Sequence, residues 1–427
     1  MNFKSINLKL LYLLCPILLF LSFNKHSKDK QKSYHDVIWA DAAGYYVYNP
    51  IWFIYGNSAS TFPDSIDVKT GNGFYLNKIN NTVETKYSCG TALLQSPFFI
   101  ASHLLAKPLG YENNGFSKIY SFGLYVAGVF YFFISFLLLF SFLKKHFSEI
   151  ISVTALIVFF IGSNLYYYTI DAPGMSHIYS FFIFSIIIYI SPFLISKYNK
   201  KHLFVFLVAS TLAILIRPTN ILIILFPLIY KLKEKNETIV ESLNYFKKII
   251  STNYRFLVII PLILVPQVIY WKKTTGHFIS YSYTNEGFDN WNKPKLLEVW
   301  FSTNNGLFTY SPLLLLSIIG IVLMIIKRDR LGIYLGVLFL IISYVFASWW
   351  SWWFGCSFGG RSFIEYYSLL IIPFAFLLSS SNNKIFKSIL LFIIIGCCYI
   401  NLSIEYYYDG CFYGETWDFN AFMKLID

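Results

Sequence analysis

From Ile119 to Leu143 not one residue is charged, and about 20 such residues are enough to carry a helix across a bilayer. Comparable apolar runs recur at Leu8–Phe23, 118–143, 149–167, 177–196, 203–217, 220–231, 256–271, 311–326, 331–348, 366–380 and 385–404. The pair 203–217 and 220–231 is short and divided by Arg217-Pro218, so it reads equally as one broken hairpin. Charged residues make up only 13% of the chain, against about 25% in a soluble domain. Too little polar surface is left to face water. The expected fold is an all-α integral membrane protein with about eleven transmembrane helices, forming a single polytopic domain over residues 1–427.

The first run follows Lys4 and Lys9, and no small-residue cleavage site closes it, so it reads as a retained signal anchor. Short basic stretches then alternate with the spans: Lys144-Lys145, Lys197 to Lys201, Lys231–Arg255, Lys327-Arg328-Asp329-Arg330 and Lys384 to Lys387. The positive-inside rule makes their face cytoplasmic and accounts for most of the net charge of +12. The opposite face receives a first loop at 24–117, a second at 271–310, the turns Thr169–Ser176 and Trp349–Tyr367, and the tail from Glu405. Within the first loop, Leu93–Leu105 is apolar but too short to span, and reads as an interfacial amphipathic helix. The expected location is the cell (inner) membrane, multi-pass.

This layout excludes several functions. The longest cytoplasmic loop is about 25 residues, less than the about 30 that one βαβ crossover needs, and no P-loop or GxGxxG run occurs. No basic stripe on a soluble domain points to nucleic acid. Six cysteines are scattered without zinc-ligand spacing. Cys15, Cys397 and Cys398 lie in apolar runs. Cys89, Cys356 and Cys411 fall on the extracytoplasmic side, where a disulfide can form, although three cannot all pair with one another.

The residues able to carry chemistry gather on that same side. Asp36 and Asp41 follow the first span, Asp41 in Asp41-Ala42-Ala43-Gly44-Tyr45-Tyr46. An interfacial carboxylate among aromatics loses hydration, which raises its pKa and suits it to accept a proton; the same residue also serves as a turn or cap. Lys86 precedes Ser88-Cys89-Gly90-Thr91, where a helix N-terminus can meet an anion or simply be capped. His177, in Asp171-Ala172-Pro173-Gly174-Met175-Ser176-His177, is either a phosphate donor or a helix cap. Arg217 ends an apolar run where charge is costly. Four tryptophans, Trp349, Trp350, Trp352 and Trp353, lead into Gly355, Gly359, Gly360 and Arg361. Aromatic faces suit sugars and a guanidinium suits phosphate; the bland alternatives are an interfacial belt and an Arg361–Glu365 pair at i+4.

Taken in order, these segments resemble the GT-C class of polytopic glycosyltransferases, which includes protein O-mannosyltransferases and lipid A aminoarabinose transferases. The resemblance is carried by Asp41-Ala42-Ala43-Gly44-Tyr45-Tyr46, by Lys86-Tyr87 with Gly90-Thr91-Ala92-Leu93-Leu94 and Pro97-Phe98-Phe99, by Pro173 to His177, by Asn305-Gly306-Leu307-Phe308 with Pro312, and by Trp352-Trp353-Phe354-Gly355 with Phe358-Gly359-Gly360-Arg361. It implies transfer of a sugar from a polyprenyl-phosphate carrier to a lipid, glycan or protein acceptor. Asp41 is then the base, and Arg361, with Arg217, His177 or Lys86, neutralises the phosphate; Tyr45, Trp352 and Trp353 contact substrate. Asp41 is flanked by alanines, where many of these enzymes place two adjacent acids, which leaves a divalent metal open and its ligands unspecified. The competing readings are a transporter or flippase of lipid-linked saccharides, which predicts polar residues at mid-membrane, and a polymerase or ligase of the same molecules.

Overall fold

A computed structural model describes residues 11–27, 37–196, 199–235, 237–283 and 286–426. Lys4, Lys9, Asp36 and Lys197 lie outside the described residues. The chain is almost wholly helical. In order, α1 (Leu14–Ser27) and the short α2 (Asp41–Tyr46) lead to a two-stranded antiparallel hairpin, β1 (Tyr75–Asn77) and β2 (Thr82–Glu84), and to α3 (Gly90–Ala106). Then come α4 (Lys118–Leu143), α5 (Glu149–Ile161), α6 (Leu165–Ile170), α7 (Ser176–Ser196), α8 (Lys200–Ile216), α9 (Phe226–Lys235), α10 (Ile239–Thr252) and α11 (Ile259–Thr275). The last four helices named here are α12 (Leu314–Ile326), α13 (Arg330–Ala347), α14 (Tyr367–Ser379) and α15 (Lys384–Tyr407).

Among the described residues, six helical stretches are long and apolar enough to cross a membrane: Lys118–Leu143, Ser176–Ser196, Tyr254–Thr275, Arg330–Ala347, Arg361–Ser379 and Lys384–Tyr407. The chain is therefore a membrane-embedded helical protein. α5 and α12 are apolar but shorter, and the two short runs on either side of Arg217-Pro218 become α8, a 3-10 turn at Pro218–Leu225 and α9. Helix α7 is central and packs against α4, α8 and α9, while α12 packs on α14. Burial sorts the spanning helices: the most apolar stretch of Arg361–Ser379 is 83% buried, that of Tyr254–Thr275 only 11%. The first is a core helix and the second turns its side chains to lipid.

The basic stretches converge at one end. His146 Nε2 lies 3.1 Å from the Tyr230 hydroxyl, Lys145 Nζ sits 4.1 Å from the centre of the Phe193 ring, and Tyr245 donates to the Leu194 carbonyl at 2.7 Å. The long first loop covers the other end. Although mostly polar in sequence, it builds its own apolar core from Val37, Ile38, Tyr46, Phe74, Val83 and Phe116, closed by Leu215 and Tyr270 from the bundle. α3 is a full helix with Ile100, Leu104 and Leu105 exposed along one side. Its N-terminus is not open to an anion, however. Gly90 packs on the backbone of Leu215 and Ile216, and the Cys89 N–H donates to Gln267 at 2.7 Å.

Of the three cysteines that can meet, Cys356 and Cys411 form a disulfide, and Cys89 is buried and free. The bridge closes a loop of sequence separation 55 and ties the tail to the turn that carries Arg361. Cys411→Ser is expected to lower stability by about 2–4 kcal/mol, read as a lower melting temperature in detergent. An unchanged melting temperature under oxidising conditions would show that the bridge constrains nothing.

Candidate active site

Four separate segments meet at the end opposite the basic stretches, and each has a local reason for its shape. Asp41 opens α2 directly after Ala40, a non-glycine residue held at φ 48°. With ψ at −122° Ala40 lies outside the left-handed helical well, a conformation that costs on the order of 1–3 kcal/mol and persists because the Ala40 N–H donates to Thr70 at 2.8 Å and Gly73 lies flush against the Ala40 carbonyl. Arg217 directly precedes Pro218, which bars it from continuing α8; it turns extended, at φ −151° and ψ 127°, and so leaves the helix axis. Lys86 follows β2, pinned by the Thr85 N–H donating to the Tyr270 hydroxyl at 2.7 Å and by Thr85 Oγ1 donating to Gly44 at 3.0 Å. Arg361 follows a turn clamped from three sides. Asn164 donates to the Phe358 carbonyl at 2.9 Å, the Tyr168 hydroxyl lies 3.1 Å from the Phe358 N–H, and Tyr408 donates to Ser357 at 2.5 Å.

With the start of α7, which carries His177, these segments bring together Asp41, Tyr45, Lys86, His177, Arg217 and Arg361. Arg361 Nη2 donates to Asp41 Oδ2 at 2.8 Å across 320 residues of sequence, and the Tyr87 hydroxyl donates to Asp41 Oδ1 at 2.5 Å. The Tyr87 ring reaches that position because Gly44 has no side chain: a Cβ there would sit 2.4 Å from it. Tyr45 stacks obliquely on Tyr87 with ring centres 4.3 Å apart. Lys86 pairs with Glu286 at 2.6 Å and lies between the rings of Tyr87 and Tyr283. Behind this layer, fully buried Glu365 accepts from Arg217 Nη1 at 3.1 Å and lies 3.2 Å from His177 Nδ1. That nitrogen is also 3.2 Å from Arg217, so it either donates to Glu365 or accepts from Arg217.

Two readings of the sequence need correction. The first concerns Glu365, which does not pair with Arg361. Residues 361–366 form a 3-10 helix, whose three residues per turn swing position i+4 about 120° away from i. Arg361 is thus free to turn to Asp41 while Glu365 faces inward. Trp352 and Trp353 pack edge-on against each other, and Trp353 also meets Trp350. Among the described residues, no ring contact or hydrogen bond joins them to the cluster. Trp349 adjoins it through Tyr283, with ring centres 6.0 Å apart.

The second concerns the charge on Asp41. Burial does work to raise its pKa, but the Arg361 charge, the Tyr87 hydroxyl and Lys86 together outweigh it and hold the carboxyl below its ordinary value. Because that pKa is lower folded than unfolded, the ionised carboxylate favours the fold. The contribution is complete above the ordinary value of about 3.9 and is lost as pH falls through the depressed one. In detergent, the melting temperature of the wild type is expected to fall more steeply with acid than that of Asp41→Asn; parallel curves would contradict the ion pair. Tyr87 moves the other way, its phenol pushed well up by burial and by Asp41, so it stays a neutral donor.

The donor set does not suit a divalent metal. Both oxygens of Asp41 are engaged, the surroundings are cationic, and no group of three or more His, Cys, Asp or Glu side chains among the described residues has the arrangement of a metal site. What the cluster offers is two partly exposed carboxylates, Asp41 and Glu286, the sealed Glu365, phenol hydroxyls and three cations beside aromatic faces. Glu286 and Tyr283 escaped the sequence reading, whereas Tyr87 entered it only as the neighbour of Lys86 and Glu365 only as a surface partner for Arg361. Comparison of the chain with protein-family models, with curated proteins and with solved structures returned no match.

Proposed function

We propose that the protein is a GT-C-like glycosyltransferase that moves a sugar from a polyprenyl-phosphate carrier to an extracytoplasmic lipid, glycan or protein acceptor. In this reading the chain crosses the inner membrane about eleven times and the Asp41 end faces outward. The observation that carries it is the contact of Asp41 with Arg361 at 2.8 Å, at the end remote from the basic stretches. A base and a phosphate-binding cation therefore stand side by side. They stand where a membrane-borne donor arrives.

The chemistry follows from competition for Arg361. A donor phosphate draws the guanidinium toward itself, since a charge-assisted contact is strong for either anion. Asp41 then loses the neighbour that keeps its pKa down and becomes a better base. It takes the proton of the acceptor hydroxyl or amine as that atom attacks the anomeric carbon. The bond from that carbon to the phosphate oxygen breaks, and polyprenyl phosphate leaves with its charge met by Arg361, aided by Lys86 and Arg217. One displacement inverts the anomeric centre. Transport without bond breaking is the weaker reading, because the ionisable cluster gathers at one end rather than at mid-membrane.

The direct test is deletion of the gene followed by mass spectrometry of envelope glycans and lipids. A single missing sugar, restored by the wild-type gene, is the expected result. A lipid-linked saccharide that accumulates with its sugars complete would point instead to a flippase, polymerase or ligase.

A further inference from the structure

Helix α10 presents three different sides, and only one of them faces the protein. Ser242 and Ile249 are buried and Tyr245 is half-buried, its hydroxyl donating to the Leu194 carbonyl at 2.7 Å and its ring 4.3 Å from Lys231 Nζ. A second side carries Ile239, Leu243 and Ile250, which are 57%, 50% and 37% exposed, with half-buried Phe246 between them. Their spacing of i, i+4, i+7 and i+11 makes one apolar stripe. The third side carries Asn244, Lys247, Lys248 and Ser251, all exposed, with Val240 its one exposed apolar residue at the helix start.

The carboxylates of this region are already committed. Glu237 holds Lys231, Glu234 holds Lys233, and Glu241 closes a capping box with Thr238. Among the described residues no ion pair engages Lys235, Lys247, Lys248 or Arg255. The apolar stripe is not an isolated patch. It runs on through exposed Tyr254, Leu257 and Val258 to Leu262, Val265 and Ile269, on the spanning stretch that is only 11% buried.

We infer that α10 lies in the membrane surface at the basic end, with Ile239, Leu243 and Ile250 in the acyl region and Lys235, Lys247, Lys248 and Arg255 on anionic lipid headgroups. Continuity with a lipid-facing helix identifies what covers the stripe, and the uncommitted cations identify the headgroup charge. A helix with a protein side, a lipid side and a water side fits a bilayer boundary and no aqueous setting. The inference stands whether or not the protein transfers sugars.

The test uses the full-length protein in nanodiscs of phosphatidylcholine, with or without phosphatidylglycerol. Spin labels at Leu243→Cys and Ile250→Cys are expected to be relaxed by oxygen and shielded from a water-soluble nickel chelate. The reverse is expected at Asn244→Cys. Labels at 243 and 250 open to nickel, or shielded from both agents by a protein partner, would overturn the placement. With all cations present, spin-labelled phosphatidylglycerol is expected to be enriched at the protein surface. The variant Lys235→Gln/Lys247→Gln/Lys248→Gln should lose that preference by several-fold, from roughly fivefold per surface cation. An undiminished preference in a folded variant would remove the headgroup assignment.

Discussion

Asp41→Asn is expected to lower sugar transfer by about 10²–10⁴-fold, the range for losing a general base, with normal expression and membrane insertion. The amide keeps the size of the carboxylate and can still meet Tyr87 or Arg361, so the packing of α2 persists; what vanishes is the ability to take a proton. The charge left without a counter-ion is that of Arg361, 14% exposed, and the amide oxygen can still accept its hydrogen bond. The measurement is restoration of the missing envelope sugar in a deletion strain, followed by the initial rate in membranes once the donor is known. Full transfer by a well-expressed Asp41→Asn protein would remove Asp41 from the chemistry and leave it a structural partner of Arg361.

The second large effect is expected at Arg361. In the proposed reaction Arg361→Gln removes the cation that meets the leaving phosphate, a loss of about 10²–10³ for one preorganised electrostatic donor. It also leaves burial acting on Asp41 without its main opposing charge, with only Tyr87 and Lys86 to counter it. The Asp41 pKa therefore rises. The acid limb of the pH–rate profile for the residual activity should move to higher pH, a change that simple misfolding does not produce. Arg361→Lys keeps the charge but not the planar fork, so it should restore part of the rate. Because the two residues touch, Asp41→Asn and Arg361→Gln together should cost less than the product of the single effects. Strictly multiplicative losses would mean that the contact is incidental.

Much of the bundle can be read from the sequence because the membrane makes one demand of every span: length and apolarity. Lys118–Leu143 and Ser176–Ser196 match the expected runs to within a residue. The runs at 149–167 and 311–326 break up because Gly162 and Asn164 end α5 and because Pro312 precedes α12, so composition alone overstates their length. The site was legible by residue type. Asp41, Lys86, His177, Arg217 and Arg361 all come together, although no periodicity links them, since each is costly or unusual where it stands. Their partners were not legible. Glu365 looked like a surface helix residue because the sequence does not announce a 3-10 turn, and Glu286 lies 200 residues from Lys86. With 34 tyrosines and 10 tryptophans, an aromatic residue carries little information about its place in the fold.

Each of the three cations at the site already has a carboxylate of its own: Lys86 with Glu286, Arg217 with Glu365, and Arg361 with Asp41. The resting cluster is therefore close to electroneutral, and a stray phosphate or chloride gains little by entering, because it must first evict an incumbent acid. Glu365 is sealed and cannot be evicted, whereas Asp41 and Glu286 reach solvent and can. Discrimination would then come from rivalry among anions within the protein, and a guest whose long hydrocarbon tail anchors it in the bilayer is the kind best equipped to win it.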